Sequence, residues 1–255
     1  VLTFTVLGCA PGMPQPNLAC SAYLVTTQNA TLLLDAGEGL SSALLRCRID
    51  PRSINAVFMS HMHPDHCMGL PLFIQTNYLQ KRSESLAVHL PSEAVDGFRR
   101  LLDLTYLFPH KLGFELTLHG LDDDSGVNIG DVRVMAKQNS HLSGHRTHLA
   151  GANLPNRMQS FSFVVQEGDR KIVYSGDLSS LDDIRPLLSQ AGLLIIDGMH
   201  IDLSQLPQLA VAAGVRRVLL THVSLGFDFE GAKPLFQKEG TESISLAREG
   251  LEMVV

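Results

Sequence analysis

Cysteine is scarce in this chain of 255 residues, and its four copies, Cys9, Cys20, Cys47 and Cys67, form neither a C-x-x-C pair nor a regularly spaced framework. That excludes a disulfide-stapled fold and predicts free thiols in a reducing, cytoplasmic compartment. No apolar run approaches the ~20 residues that a membrane-spanning helix needs. No basic segment precedes a long apolar core in the manner of a secretory leader. Positive charge is in deficit as well: 20 Lys and Arg against 26 Asp and Glu leave a net charge of −6. The average therefore advertises no nucleic-acid partner, although a local basic patch can act against an acidic mean. No charge block, low-complexity tract or glycine-serine linker divides the chain, so one domain over residues 1–255 is expected. Apolar content of 45% and charged content of 18% fit a globule with a large core.

Histidine, by contrast, is abundant and clustered. Ser60-His61-Met62-His63-Pro64-Asp65-His66 places three imidazoles and a carboxylate directly after the apolar run Ile54 to Met59. A match to H-x-H-x-D-H is expected by chance on the order of once in a thousand such chains. Imidazole nitrogen and carboxylate oxygen are the preferred donors for zinc and its first-row neighbours. If the apolar run is a buried strand, His61 and His63 share a side by the two-residue period, and Pro64 disfavours helix at His63. Asp65 and His66 then turn toward a second position. Ligands divided two and two suit a pair of adjacent ions completed from later in the chain.

Strands and helices alternate in two halves. The first half predicts strands at Leu2 to Leu7, Ser21 to Thr26, Thr31 to Leu34, Ile54 to Met59 and Leu86 to Leu90. Helices are predicted at Gly39 to Cys47, after Gly69, and at Ser92 to Leu104 with Ser92 as cap and Glu93 in the first turn. The second half predicts strands at Val132 to Ala136, Phe161 to Gln166, Lys171 to Tyr174, Leu193 to Ile196 and Val218 to Leu220, with helices at Ser180 to Gln190 and Leu203 to Ala213. Strands with helices on their outer faces imply a layered α/β sandwich. Further polar residues fall at the strand ends: His141, the Gly176-Asp177 pair and Thr221-His222. Loops beyond strand ends are where side chains converge on a ligand in such folds.

With these residues in order, the chain resembles the metallo-β-lactamase-fold hydrolase superfamily, and within it the ribonuclease Z branch. Leu7-Gly8-Cys9, Pro16-Asn17, Cys20-Ser21 and Asp35-Ala36-Gly37-Glu38-Gly39 resemble the opening segments of that branch; H-x-H-x-D-H, Gly69-Leu70-Pro71, His141, Gly176-Asp177 and Thr221-His222 follow in the same order. The resemblance implies a four-layer αβ/βα sandwich. It implies that His61, His63 and His141 hold one divalent ion, that Asp65, His66 and His222 hold another, and that Asp177 bridges them. Zinc is expected, with manganese or iron compatible with the same donors. A hydroxide shared by the ions would be the nucleophile. Asp35 is similar to a carboxylate that orients a ligating histidine through its other ring nitrogen. His200 resembles a histidine that protonates the leaving oxygen, with Asp197 as its acidic partner. Asp65, His200 and Asp197 are thus the catalytic candidates. A phosphodiester substrate, RNA or a smaller nucleotide, and a homodimer are further implications.

Two features depart from that branch. No segment is long enough for its glycine- and proline-rich arm that grips transfer RNA, and Pro64 stands where glycine is usual. A thioester, lactone or amide hydrolase on the same scaffold therefore stays open beside the phosphodiesterase, with a non-catalytic binding module third. Leu142 to Arg157, carrying His145, Arg146, His148 and Arg157, reads either as a small basic lip over the site or as an ordinary loop.

Overall fold

The structure, a computed structural model, describes residues 1–239 and 243–255. Its first sheet is built from β1 (Thr3–Gly8), β2 (Ala22–Thr26), β3 (Thr31–Leu34), β4 (Ala56–Phe58), β5 (Leu86–Pro91) and β6 (Leu116–Leu121). Its second is built from β7 (Gly126–Ile129), β8 (Val132–Gln138), β9 (Phe161–Glu167), β10 (Arg170–Tyr174), β11 (Leu193–Asp197), β12 (Arg217–Thr221) and β13 (Ser243–Leu246); β14 (Glu252–Val254) returns to the first. Each sheet has seven strands, in the orders β14-β1-β2-β3-β4-β5-β6 and β13-β12-β11-β10-β9-β8-β7. Both change from antiparallel to parallel pairing along their length, at β3 in one and at β10 in the other. The parallel stretches carry the crossover helices, as parallel pairing requires.

The period-two alternation of the strands sorts their side chains into three cores, one between the sheets and one on the outer face of each. Phe4, Val6, Tyr23 and Phe58 face Phe161, Phe163, Ile172 and Tyr174 across the gap between the sheets. On the outer face of the first sheet, Leu33, Val57 and Val88 pack under α1 (Leu40–Arg46), α3 (Leu70–Leu79) and α4 (Val95–Leu104), with the short α2 (Pro64–Cys67) preceding α3. On the outer face of the second, Val173, Leu194 and Leu220 pack under α6 (Leu206–Ala212) and α7 (Phe229–Glu239). A further short helix, α5 (Arg146–Leu149), lies in the excursion between β8 and β9. The result is the four-layer αβ/βα sandwich. Each fully buried Leu or Phe contributes roughly 1.5–3 kcal/mol, enough in sum to hold the strand ends rigidly even where they present polar groups.

Three expectations are corrected. The helix expected at Ser180 to Gln190 is two 3-10 turns, Leu181–Asp183 and Arg185–Leu187, because Pro186 lacks an N–H and disfavours helical geometry in the residue before it. Ser92 does not cap α4: Ser92–Ala94 is a 3-10 turn, and the Ser92 hydroxyl donates to the Leu121 carbonyl at 3.0 Å. The helix expected from Leu203 begins as a 3-10 turn and becomes α only at Leu206. The edge strands β6, β7, β13 and β14 escape the sequence pattern, since β6, for example, is half exposed and broken by Thr117, His119 and Gly120. All four cysteines are free, and burial pushes the Cys67 thiol up to about 12, as suits a small packed hydrophobe. Among the described residues no helix is long and apolar enough to cross a membrane.

Candidate metal centre

The chain leaves β4 in an extended path through Ser60 to His63. His63 sits at φ −64°, ψ 145°, as its neighbour Pro64 demands, and Pro64 then opens α2, which carries Asp65 and His66. The Asp35–Gly39 loop packs directly against this segment. A Cβ on Gly37 would collide with the Asp65 carbonyl, and one on Gly69 with the Gly37 carbonyl, so glycine at both positions lets the two loops touch. His141 enters from the end of β8, Asp177 from the end of β10, Asp197 from the end of β11 and His222 from the end of β12. The site therefore lies at one end of the seam between the sheets, with donors from both.

Asp35 organises the first half. Its buried carboxylate accepts hydrogen bonds from the Ser60 amide (2.6 Å), the Ser60 hydroxyl (2.7 Å), His66 Nδ1 (2.8 Å) and the Tyr174 hydroxyl (2.6 Å). Because Ser60 Oγ donates to Asp35, it accepts from His61 Nδ1, 3.0 Å away. Nδ1 of both imidazoles is thus taken up by Ser60 and Asp35, and both rings turn Nε2 inward. Those two Nε2 atoms are buried and have no hydrogen-bond partner, as is His222 Nδ1. Asp35 and His222 each hold a left-handed backbone, at φ 58° and 52°. Asp and His are among the residues that enter that region most readily, and here it aims both side chains into the site.

Asp177 stands at the middle. Its Oδ1 is 3.2 Å from both His66 Nε2 and His222 Nδ1. Its Oδ2 is 3.7 Å from His141 Nε2, 3.8 Å from His200 Nδ1 and 4.0 Å from His61 Nε2. Donor atoms of His61, His63, His141 and Asp177 lie within 4.8 Å of one another, and so do those of Asp65, His66, Asp177 and His222. All seven expected ligands are therefore brought together, in the two expected sets. Burial would raise the Asp177 carboxyl, but the imidazoles of His66 and His222 hold it below the usual carboxylate range. Asp65 resists the same burial effect through His222, whose Nε2 lies 3.0 Å from its Oδ2, and falls to about 2. His141, mainly through burial, falls to about 4.

His200 and Asp197 form a third element. His200 Nδ1 donates to Asp197 Oδ2 at 2.8 Å, and that bond raises the imidazole pKa against the effect of burial. Asp197 is itself pinned by the amides of Leu178 and Met199, and its Oδ1 is 3.5 Å from His222 Nδ1. Burial would raise the Asp197 carboxyl, but the His200 imidazole and then that of His222 hold it well below the usual carboxylate range. The His200 side chain is 33% exposed, where the His61, His66 and His222 side chains are at most 3% exposed. His200 alone among these histidines is placed to exchange a proton with solvent or substrate.

Two supporting residues were not foreseen. Tyr174 reads as core in sequence, yet its hydroxyl reaches Asp35. Asn139, two positions before His141, donates to the carbonyls of Ser175 and Asp177 and accepts from the His141 amide, fixing His141 and Asp177 in one frame. A buried amide at the end of a strand just ahead of a candidate ligand was the available signal.

Fold and donor set together define a metal-binding hydrolase scaffold of the metallo-β-lactamase type. The chain belongs to the β-lactamase superfamily domain family, whose profile matches residues 30–223. It is 25% identical to ribonuclease Z of Methanosarcina acetivorans over 100% of this chain and 98% of that protein. Among solved structures it is similar to the metallo-β-lactamase fold protein YhfI of Bacillus subtilis (TM-score 0.80, 20% identity, 99% and 98% of the two chains). It is also similar to the short form of human tRNase Z (TM-score 0.74, 23% identity, 99% and 98%).

Proposed function

We propose that this protein is a metal-dependent phosphodiesterase of the ribonuclease Z type, working with two divalent ions, zinc by preference. Asp177 carries the reading: its two carboxylate oxygens face separate sets of imidazoles at 3.2 to 4.0 Å. The donors also fit such ions chemically, since buried His61 Nε2, His66 Nε2 and His222 Nδ1 are otherwise without partners. His61, His63 and His141 would hold one ion, Asp65, His66 and His222 the other, with Asp177 shared. Divalent ions so held supply a water nucleophile at neutral pH and offset the charge that develops on phosphorus.

The chain's own residues do the rest. Asp35 and Ser60 keep His61 and His66 in one tautomer, and Asn139 holds His141 beside Asp177. Asp197 occupies His200 Nδ1, leaving Nε2 to present a proton to the leaving oxygen. The substrate class that suits these parts is an RNA 3′ end or a smaller nucleotide, in keeping with the ribonuclease Z relatives. A homodimer agrees with the resemblance, and a cytoplasmic location with four free thiols.

Hydrolysis of bis(p-nitrophenyl) phosphate by zinc- or manganese-loaded protein, run beside a p-nitrophenyl ester and a lactone, tests the reading. Metal-dependent diester cleavage that disappears in Asp65→Ala supports it. Turnover of the ester or lactone alone would move the function to another hydrolase class and reduce His200 to a structural residue.

A further inference from the structure

The excursion between β8 and β9 is more than a connection. Together with the segment after β4 it encloses a cavity of about 310 Å³, walled by Met62, Leu142, Leu149, Leu154 and Met158. His63 is part of the same lining, so the cavity opens directly onto the candidate metal centre. The His145 ring stands at the junction, edge-on to His63 with centroids 5.8 Å apart. The His141 ring is 5.1 Å from both His63 and His200, and His200 is not part of the cavity lining.

The walls are built rather than loose. At the far end of the excursion the Glu93 carboxylate accepts from the Arg157 and Gln159 amides, and the Gln159 side-chain oxygen accepts from the Glu93 amide at 2.9 Å. The Gln159 side-chain amide also donates to Asp122 at 2.8 Å. At the near end the Ser140 hydroxyl donates to Asp183 at 2.6 Å. The one carboxylate in the lining is therefore already engaged, leaving leucine and methionine surfaces with His148 and Asn156 at the polar edge.

We propose that this cavity seats the nucleobase joined to the scissile phosphodiester and so makes nucleotides, rather than simple phosphodiesters, the substrate. The proposal rests on the phosphodiesterase reading above. Leucine and methionine offer broad, polarisable contact to a flat ring, and His148 and Asn156 can meet the polar edge of a base. Arg146 and Arg157, on the same excursion, supply positive charge for the adjoining phosphates. A cavity of this volume lies at the small end of ligand pockets, which suits one base and not a longer stretch of chain.

The test compares three diesters with the same leaving group: thymidine 5′-(p-nitrophenyl phosphate), methyl p-nitrophenyl phosphate and octyl p-nitrophenyl phosphate. Leu149→Trp fills the cavity and Leu154→Ser, at an exposed position, opens it; thermal melts establish that both fold. Filling should raise KM for the thymidine diester about tenfold, through loss of the apolar contact to one base, and leave methyl diester turnover within about twofold. Calorimetric titration with adenosine 5′-monophosphate should show binding to the parent and weaker binding to Leu149→Trp. Parallel losses on the thymidine and methyl diesters, or a loss confined to the octyl diester, would overturn the assignment. So would a parent that binds no nucleotide. The same variants assayed on a short single-stranded RNA tell whether the base comes from RNA or from a free nucleotide. If the parent cleaves none of the three diesters, the phosphodiesterase reading itself fails, while the titration still decides whether the cavity holds a base.

Discussion

The Asp35 carboxylate accepts a hydrogen bond from His66 Nδ1 at 2.8 Å, with neither side chain exposed to solvent. Through that bond a residue at the end of β3 decides which nitrogen of His66 faces Asp177. Asp35→Asn keeps the shape and the tolerance for a left-handed backbone but weakens the acceptor. Metal affinity at the Asp65, His66 and His222 set is expected to fall roughly 10- to 100-fold. Competition with a chromogenic chelator measures this independently of activity; unchanged affinity would show that Asp35 only packs.

Asp65 and Asp177 differ in reach, since Asp65 belongs to one donor set and Asp177 to both. Asp65→Ala should remove activity and lower bound metal by one ion per chain, whereas Asp177→Ala should lower it by two. Elemental analysis of the purified variants distinguishes these cases. Full occupancy in Asp65→Ala would break the ligand assignment.

His200→Ala should slow cleavage of diesters with poor, alkoxide-like leaving groups by about 10²–10⁴-fold and leave p-nitrophenolate release far less affected. A plot of rate against leaving-group pKa, steeper in the variant than in the parent, is the expected result. Equal losses across the series would mean that His200 acts through structure.

His89 lies outside the centre, stacked on Phe58 at 4.6 Å and His119 at 4.9 Å, with Nε2 buried and unpartnered. Burial, with His119 adding repulsion, lowers its pKa to about 4. A folded-state pKa below the unfolded value means that the unfolded chain binds more protons in this interval. The stability His89 confers as a neutral ring is thus present above about pH 6.5 and is lost as pH falls toward about 4. The loss is on the order of 3 kcal/mol. In His89→Phe, urea midpoints measured between these limits should decline less with acidification than in the parent; identical slopes would contradict the assignment.

Arg146 and Arg157 test whether the excursion meets an extended polyanion. If each contacts a phosphate of single-stranded RNA, the double alanine variant should reduce the slope of log K against log salt by about 1.4, at roughly 0.7 per contact. A slope unaltered by the substitutions would confine the excursion to the base cavity.

Much of this site was legible because its ligands end strands. The apolar runs before His61, Asp177 and His222 fix both the strand and the point where the next side chain leaves it, and Pro64 fixes the turn that sends Asp65 and His66 to a second position. What stayed hidden has physical causes. Tyr174 and Asn139 act through contacts to residues distant in the chain or to backbone carbonyls, which no local pattern encodes. The 3-10 turns around Pro186 replaced a helix because one missing N–H outweighed an otherwise helical spacing. The cavity beside His63 needed the excursion's ends to be tied down by Glu93 and Asp183, and those bonds join segments that sequence does not bring together. Leu142, His145, His148, Leu149, Leu154 and Asn156 of the Leu142 to Arg157 segment line that cavity.

The donors to Asp177's two oxygens arrive from both sheets, His61 and His66 from one and His141 and His222 from the other. Neither sheet alone owns a complete set. A divalent ion held by both groups of donors would act as a rivet across the seam, stabilising the docked arrangement in proportion to how tightly it binds. Catalytic turnover therefore doubles as a gauge of long-range order, registering whether two separately built sheets have closed on each other.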